Sequence, residues 1–301
     1  QGLLRLREFT QMELEYFFNP SNPKHENFAA VSGVKMRIIS DGQETAAEKT
    51  AGEFVSDGTI PNDIMAYFMA RQVQFYLALG IPYGKFYFRK LGKGETPHYS
   101  GGNFDMEVET SYGNAETIGN AYRTDYDLSA HAKMSGNDLS VFVEEEKKKI
   151  VPHVVEPSMG SDRLFWCILE HSYRDKTEKK DWEWFDFPPS IAPFTVSVFP
   201  LMKKDGLAEK AREVTAMLRS RHIETMYSES GSIGRRYARA DEIGTPYCLT
   251  VDYDTLDSKS DKFGTVTIRY RNDGGQERVK ISELPALIEK NVAEARVNLK
   301  A

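Results

Sequence analysis

The sequence has 301 residues, of which 40% are hydrophobic and 28% are charged, with a net charge of −6. These values are typical of a globular protein of two domains, and no apolar run reaches the roughly 18 residues that a membrane-spanning helix requires. The negative charge argues against a protein that coats nucleic acid, although it allows a local basic patch. Cys167 and Cys248 lie far apart in apolar surroundings. We therefore expect buried thiols in a cytoplasmic protein rather than disulfides or zinc ligands.

The chain begins with QGLLRLREFT, which has no initiator Met and neither the apolar core nor the cleavage site of a signal peptide. We expect a fragment of a longer protein.

Residues 3–18, LLRLREFTQMELEYFF, are predicted to form a strand with two unlike faces. The mixed face consists of Phe9, Gln11, Glu13, Glu15 and Phe17. The face predicted to point to the core consists of Thr10, Met12, Leu14, Tyr16 and Phe18. The mixed face either meets solvent or forms the floor of a binding site.

Two further segments precede the central strands. Residues 24–60 are polar and rich in turn formers, which predicts an inserted, partly helical excursion. A helix is predicted over residues 62–80, with Asn62 or Asp63 as its N-cap and Gly80 as its stop.

The next part of the first half alternates strands and turns. KFYFRKL (85–91) is predicted to be a short strand, and EEEKKK (144–149) a solvated hairpin or loop. IVPHVVEPS (150–158) is predicted to be a strand that leads into a helix. Asp105 and Glu107 alternate along a strand, so they either face solvent or belong to a site. Arg123, Asp125 and Asp127 are interpreted as an ion-pair network, and His98, His131, His153 and His171, which lack metal-ligand spacing, as structural.

The composition changes at residues 176–193, which are charged, then aromatic, then rich in proline. A domain boundary is therefore predicted there. Beyond it a strand, a helix and three more strands precede a final helix, with NDGG (272–275) as a hairpin turn. This order predicts a small α/β domain with a mixed sheet. GRRYARADE (234–242) is a basic patch with an aromatic residue, which either is a solvated face or binds RNA.

Three segments become informative when they are considered together. They are RLREFTQMELE (5–15), SYGNAETIGNAYRTDYDL (111–128) and VEPSMGSDRLFW (155–166). In this order they resemble motif 2, the amino-acid pocket and motif 3 of the class II glycyl-tRNA synthetases of the homodimeric archaeal and eukaryotic type. The resemblance continues through residues 191–214 and 232–252 and thins out only in the insertion.

The resemblance implies an α+β fold. A partial class II catalytic domain with an antiparallel sheet would occupy residues 1–188, with the insertion at about 24–60, and an α/β anticodon-binding domain would occupy residues 189–301. It implies a glycine–tRNA ligase that uses ATP, Mg²⁺, glycine and tRNA(Gly) and is a homodimer at full length. Because the carboxylate of glycine is already ionised, its attack on the α-phosphorus needs no general base, only alignment and neutralised charge.

The resemblance also assigns residues to roles. Arg7, Arg163 and Glu116 would be catalytic, with Glu116 as the Mg²⁺ ligand. The residues expected at the ATP site are Leu4, Arg5, Leu6, Arg7, Glu8, Phe9, Glu116, Thr117, Gly160, Ser161, Asp162 and Arg163. The residues expected at the glycine site are Phe9, Thr10, Gln11, Met12, Glu13, Glu156, Pro157, Ser158, Met159 and Gly160. Adenine would lie between Phe9 and Arg163, and the ammonium group against Glu13, Glu156 and Ser158.

The sequence departs from the family pattern in two places. It starts just downstream of the first arginine of motif 2 and lacks motif 1, so we expect an exposed sheet edge and poor activity of these residues alone. Asn114 and Ala115 stand where a bulky aromatic residue is expected, which could loosen the pocket. The alternatives are a non-catalytic synthetase-like accessory protein that binds nucleic acid and a class IIa synthetase for serine, threonine or proline.

Overall fold

The computed structural model describes residues 2–92, 94–95, 100–178 and 180–297, and His98 lies outside them. The contacts between Cα atoms divide the chain into two compact units. One contains the residues up to Leu77 together with Ile81–Glu170, and the other contains Ala78–Gly80 together with the residues from His171 onward. The boundary between residues 188 and 189 stays a prediction. No helix in the described ranges is long and apolar enough to cross a bilayer.

The elements up to Ser172 are ten strands and four α-helices among the described residues. The strands are β1 (Gln11–Glu13), β2 (Tyr16–Phe18), β3 (Lys35–Ile39), β4 (Ala47–Thr50), β5 (Phe86–Lys90), β6 (Gly102–Thr110), β7 (Gly113–Thr124), β8 (Val141–Val143), β9 (Lys148–Ile150) and β10 (His153–Gly160). The helices are α1 (Ala51–Ser56), α2 (Asp63–Ala78), α3 (Tyr126–Ser135) and α4 (Ser161–Ser172).

One eight-stranded sheet organises the first unit, in the order β1-β10-β7-β6-β5-β3-β4, with β2 also paired to β10. All its pairs are antiparallel except β3 with β5. The predicted α+β class with a mainly antiparallel sheet is therefore confirmed. Residues 24–60 are partly helical, as predicted, because they contain α1, and β3 and β4 of the same segment form the far edge of this sheet. The EEEKKK segment forms the turn of the β8–β9 hairpin and the first two residues of β9, in agreement with the predicted hairpin or loop.

Helix α2 covers one face of this sheet. Asn62 is its cap, because Oδ1 accepts a hydrogen bond from the Met65 amide at 2.9 Å, and Gly80 (φ +83°) follows its end, as predicted. The Gln72 side-chain nitrogen donates to the Asn120 oxygen at 2.6 Å. The sheet residues that are buried on this face include Phe86, Phe88, Phe104, Met106, Val108 and Ile118. Alternation therefore leaves the opposite face of the same strands for polar side chains.

The predicted strand at residues 3–18 is wrong in its continuity and partly in its inward face. Only β1 and β2 are extended, and Met12 and Leu14 are 48% and 45% exposed. The reason is that β1 lies at the sheet edge, where a groove of about 380 Å³ separates these two side chains from Phe68 and Phe75 of α2.

The second unit is built on a five-stranded sheet in the order β14-β13-β15-β16-β17. The sheet is mixed, as the sequence predicts, but it has one strand more than the four predicted. Its strands, with a preceding hairpin, are β11 (Tyr173–Arg174), β12 (Trp184–Phe185), β13 (Val196–Pro200), β14 (Thr225–Tyr227), β15 (Tyr247–Val251), β16 (Thr265–Tyr270) and β17 (Gln276–Lys280). Its helices are α5 (Leu207–Ser220), α6 (Ile233–Glu242), α7 (Tyr253–Leu256) and α8 (Leu284–Val297). Strand β13 pairs in parallel with β14 and β15, and the NDGG turn joins β16 to β17. Strand β14 and helix α6 were missing from the sequence prediction.

Buried charges hold residues 180–187 onto this unit. Asp241 is fully buried and receives both terminal nitrogens of Arg269, at 2.8 and 3.0 Å, and Lys180 Nζ at 3.2 Å. Lys180 Nζ also lies 3.7 Å from the ring centroid of Trp184. Arg271, 3% exposed, binds Asp186 at 2.7 Å. Because an unpaired buried charge is costly, these contacts fix the aromatic segment in place.

Both cysteines are free and buried, as predicted, and burial raises the pKa of each thiol to about 12.

The backbone conformation and the close packing at Gly244 in the second unit allow no side chain. Its φ is +78°, and an added Cβ would lie 2.3 Å from Cδ2 of the Phe187 ring. We expect Gly244→Ala to lower the free energy of unfolding by about 2–4 kcal/mol, measured by chemical denaturation. Gly234→Ala is the matched control, because Gly234 lies in α6 with open space around it. It should instead stabilise the protein by about 0.5–1 kcal/mol. Equal effects of the two changes would contradict the claim that the positive φ and the Phe187 ring require glycine at position 244.

Candidate active site

The polar face of the first sheet carries a continuous row of side chains across five strands. The registers align Glu13 with Ser158, Ser158 with Gly119, Gly119 with Asp105, and Asp105 with Arg89. Neighbouring strands are about 4.8 Å apart, so this row is a strip with small residues at its centre and charges at its ends.

A second row runs beside the first. Glu116 of β7 pairs with Glu107 of β6, which in turn pairs with Tyr87 of β5, and Gln11 pairs with Gly160. A cavity of about 420 Å³ opens above the two rows. It is lined by Leu3, Leu4, Arg5, Leu6, Phe9, Gln11, Glu116, Thr117, Gly119, Ser158, Gly160, Asp162 and Arg163.

The first turn of α4 fastens the opening segment to the sheet. The Asp162 carboxylate accepts the Thr10 amide at 2.8 Å, and the Ser161 amide and hydroxyl both donate to the Thr10 carbonyl at 3.0 Å. Arg163 donates from Nη1 to the Glu116 carbonyl at 2.7 Å and from Nε to the Leu4 carbonyl at 3.2 Å. These two backbone contacts orient the guanidinium at the wall of the cavity.

The structure brings most residues of the predicted ATP site together. All of them except Arg7, Glu8 and Ser161 line the cavity. Arg7 and Glu8 are exposed, and the Phe9 ring is 61% exposed beside the same cavity as Arg163. The Thr117 hydroxyl is committed to the core, since it accepts from Tyr76 at 2.7 Å and donates to the Met106 carbonyl at 3.0 Å.

The residues of the predicted glycine site fall on both faces of the sheet. Gln11 donates to Glu13 at 2.9 Å and also to the Ser158 hydroxyl, which donates to Glu13 at 3.2 Å. This triad lies on the polar face, and Glu13 and Glu156 line a second cavity of about 350 Å³ beside it. The alternation of β1 and β10 places the remaining apolar residues in the groove on the opposite face: Met12, Pro157 and Met159.

Asp105 and Glu107 do not simply face solvent. Their side chains are 13% and 14% exposed, and Arg89 binds them at 3.3 and 2.8 Å. Tyr87 donates to Glu107 at 2.6 Å and accepts from Asn114 at 2.8 Å, so Asn114 takes part in a polar network. Burial, followed by the charge of Glu116, raises the pKa of Asp105 to about 6.

Sequence reasoning missed Arg89 and the contact of Arg123 with Glu156. Arg123 binds Asp127 at 2.7 Å, as the predicted ion-pair network requires, and it also lies 3.0 Å from Glu156, which lies outside that predicted network. Burial raises the pKa of Glu156, and Arg123 opposes this shift. For the contacts of Arg89 with Asp105 and Glu107, the sequence signal was the alternation of Tyr87 and Arg89 along a predicted strand.

The carboxylates at the cavity limit how Mg²⁺ could bind there. No group of three or more His, Cys, Asp or Glu side chains suited to a metal occurs in the described part of the chain. Mg²⁺ commonly binds through one or two carboxylates together with substrate phosphates and water, and Glu116 at the cavity wall suits that mode. The residues therefore fit a phosphate-bound ion and not a site made of protein ligands alone.

Comparisons with known proteins find similar sequences over most of the chain. The family model described as "Anticodon binding domain" matches residues 195–291. The chain is 34% identical to the glycine–tRNA ligase of Archaeoglobus fulgidus over 96% of the chain and 62% of that protein. It is 35% identical to the glycine–tRNA ligase of Methanocaldococcus jannaschii over 98% of the chain and 65% of that protein. The chain thus spans less than two thirds of the length of these relatives.

The raised pKa of Asp105 predicts that the free energy of unfolding depends on pH. An acid that keeps its proton more tightly when folded stabilises the fold at low pH, and this contribution is lost as pH rises from 3.8 through about 6. At about 1.4 kcal/mol per tenfold change, the wild-type protein loses at most about 3 kcal/mol through this group. We expect Asp105→Asn to lack this loss in urea unfolding at pH 4, 6 and 8.

The control for this measurement is Glu109→Gln, which changes a largely exposed acid on the same strand. It should keep the wild-type pH dependence. Identical pH dependences of Asp105→Asn and the wild-type protein would show that Asp105 is ionised equally in both states.

Proposed function

We propose that this chain, which belongs to the family of the glycine–tRNA ligases, takes part in activating glycine with ATP and in transferring the glycyl group to tRNA(Gly). The observation that carries the proposal is the polar face of the first sheet, where an acid–serine–glutamine triad adjoins a cavity walled by Arg163. The acids suit an ammonium group, and the arginine suits a phosphate. One surface therefore offers complementary charges to both reactants.

The chemistry that we propose needs alignment more than proton transfer. The glycine carboxylate attacks the α-phosphorus, a P–O bond forms, and pyrophosphate leaves with its electron pair. Arg163, fixed by the Glu116 and Leu4 carbonyls, would contact the phosphates without having to reorganise. Arg5 lines the same cavity and would add a second positive charge, while Phe9 would stack on adenine.

Selection of glycine would rest on the ammonium group and on the lack of a side chain. Glu13 and Ser158 are already linked by a hydrogen bond of 3.2 Å, so their acceptors are arranged before the ligand binds. A closely lined pocket would weaken the binding of an amino acid with one extra methyl group by about 1–3 kcal/mol. Glu116 would hold Mg²⁺, which would neutralise the charge that develops on the leaving group.

We also propose a tRNA partner, a homodimeric full-length enzyme and a cytoplasmic location. The match of residues 195–291 to an anticodon-binding domain supports the first. Within the basic patch of α6, Arg236 is buried and donates to the Pro200 carbonyl at 2.6 Å, and Arg239 donates to the Ser230 carbonyl. Arg235 is exposed, and no hydrogen bond or ion pair of its guanidinium is found within the described ranges. It is our candidate for a phosphate contact.

The activity is tested by ATP–pyrophosphate exchange on the full-length protein with glycine, alanine and serine in parallel. We expect exchange with glycine alone. Glu13→Gln should raise the KM for glycine about 100-fold or abolish exchange, because it removes the charge that faces the ammonium group. Glu44→Gln, in the exposed turn between β3 and β4, is the control and should behave as the wild-type protein.

No exchange with any amino acid, in a protein that still binds tRNA, would overturn the proposal. It would favour a non-catalytic accessory protein. Exchange with serine but not glycine would instead indicate a different class IIa synthetase.

The tRNA proposal has its own test. Arg235→Ala should weaken binding of transcribed tRNA(Gly) about three- to tenfold and reduce the slope of log affinity against log salt by about one. Arg221→Ala is the control, because Arg221 is exposed at the end of α5 and binds Glu289 at 3.4 Å. Equal losses in both variants would show only a general loss of positive charge.

A further inference from the structure

Strand β7 is irregular in its pairing with both of its neighbours. One irregularity lies near the end of β7, against β10. The other lies against β6, where Met106 pairs with Ile118 and the next residue of β6, Glu107, pairs with Glu116. Thr117 is therefore the extra residue of a β-bulge. A bulge re-aims the side chains beside it, and here it lies at the wall of the cavity.

This bulge decides which face of the sheet Glu116 occupies. In a regular strand, residues an odd number of positions apart point to opposite faces. Gly119 is three positions from Glu116, so regular pairing would put the two on opposite faces. Instead, Thr117 and Ile118 are both buried in succession, and Glu116 lies on the polar face with Gly119. Glu116 there lines the cavity of about 420 Å³ and a neighbouring one of about 280 Å³.

The backbone of the same residue holds a cation of the site. The Glu116 carbonyl accepts the hydrogen bond from Nη1 of Arg163 at 2.7 Å. A displacement of Glu116 would therefore move a carboxylate at the cavity wall together with the group that orients the guanidinium. The conformation of the bulge controls both.

The bulge is anchored from the core side. The Thr117 hydroxyl is 3% exposed as part of its residue, accepts from the Tyr76 hydroxyl at 2.7 Å and donates to the Met106 carbonyl at 3.0 Å. Tyr76 of α2 is fully buried, and its ring packs edge-on against Phe86 with the centroids 5.5 Å apart. Burial holds the pKa of Tyr76 above its ordinary value, so its hydroxyl remains a donor at neutral pH. One hydroxyl thus ties the extra residue to both β6 and α2.

We propose that Thr117, held by Tyr76, is a positioning residue for ATP binding, because it pins the bulge that presents the Glu116 carboxylate to the cavity and the Glu116 carbonyl to Arg163. This inference rests on the proposed function, in which Glu116 and Arg163 serve ATP. Thr117 acts through these two residues, and its hydroxyl touches neither reactant. Without the anchor we expect a displaced bulge rather than a slipped strand, since a slip would bury the Glu116 carboxylate.

The test is ATP binding by the full-length protein, measured by isothermal titration calorimetry in EDTA so that no metal ion contributes. We expect Thr117→Val to raise the Kd for ATP about tenfold, because the guanidinium of Arg163 loses its fixed orientation. Thr117→Ser keeps the hydroxyl and should restore the Kd to within about threefold of wild type. In ATP–pyrophosphate exchange with Mg²⁺, the KM for ATP should rise by a similar factor, with the KM for glycine within about twofold of wild type.

A second variant covers a failure to fold. Thr117→Val leaves the buried Tyr76 hydroxyl without its acceptor, which is costly. The double variant Tyr76→Phe/Thr117→Val removes both hydroxyls, and the same split between ATP and glycine is expected of it.

Gln72→Met is the matched control. Gln72 and Asn120 exchange two hydrogen bonds, at 2.6 and 3.1 Å, and so form another buried link between α2 and β7, at a point where the pairing with β6 is regular. This change should lower stability but leave the Kd for ATP unchanged. An unchanged Kd in Thr117→Val, an equal loss in Gln72→Met, or an equal rise in the KM for glycine would overturn the positioning role. A wild-type protein that binds no ATP would instead count against the proposed function itself.

Discussion

Side-chain alternation across the eight-stranded sheet is the constraint on which the first unit depends. Phe104 and Met106 must face α2, so Asp105 and Glu107 between and beside them must face away. The same rule applied to β10 turns Glu156 and Ser158 to the polar side. A binding surface of this kind comes from the registers of strands that are distant in the sequence, and a one-residue slip in any of them would bury the acids.

Arginines neutralise the carboxylates that lie on the polar face of the first sheet. Arg89, Arg123 and Arg163 each bind at least two protein groups, and their positions are therefore set before any ligand arrives. The same device operates in the second unit, where Arg269 and Lys180 share the buried Asp241. Fixed guanidinium groups lose little entropy when they bind a further partner, which suits the proposed reaction, in which two anions would have to be held together.

The elements with strong local signals were predictable from the sequence. The cap at Asn62, the NDGG hairpin and four of the five strands of the mixed sheet follow from residues close together in the chain. The sharing of Arg123 between Asp127 and Glu156 was not predictable, because it depends on a bulge and on a pairing between residues 33 positions apart. The prediction that Met12 points into the core was wrong for a similar reason. Met12 is exposed because β1 lies at the edge, and the position of a strand at an edge depends on the whole sheet.

The buried cluster around Asp241 has a consequence for modularity. Lys180 and Asp186 precede the region of the anticodon-binding match, yet their partners Asp241 and Arg271 lie inside it. A recombination event that joined a foreign segment at residue 189 would separate these charges and leave Arg271 desolvated without Asp186. A transplanted unit that keeps both pairs of charges therefore has to begin before Lys180 and has to include the aromatic and proline-rich segment.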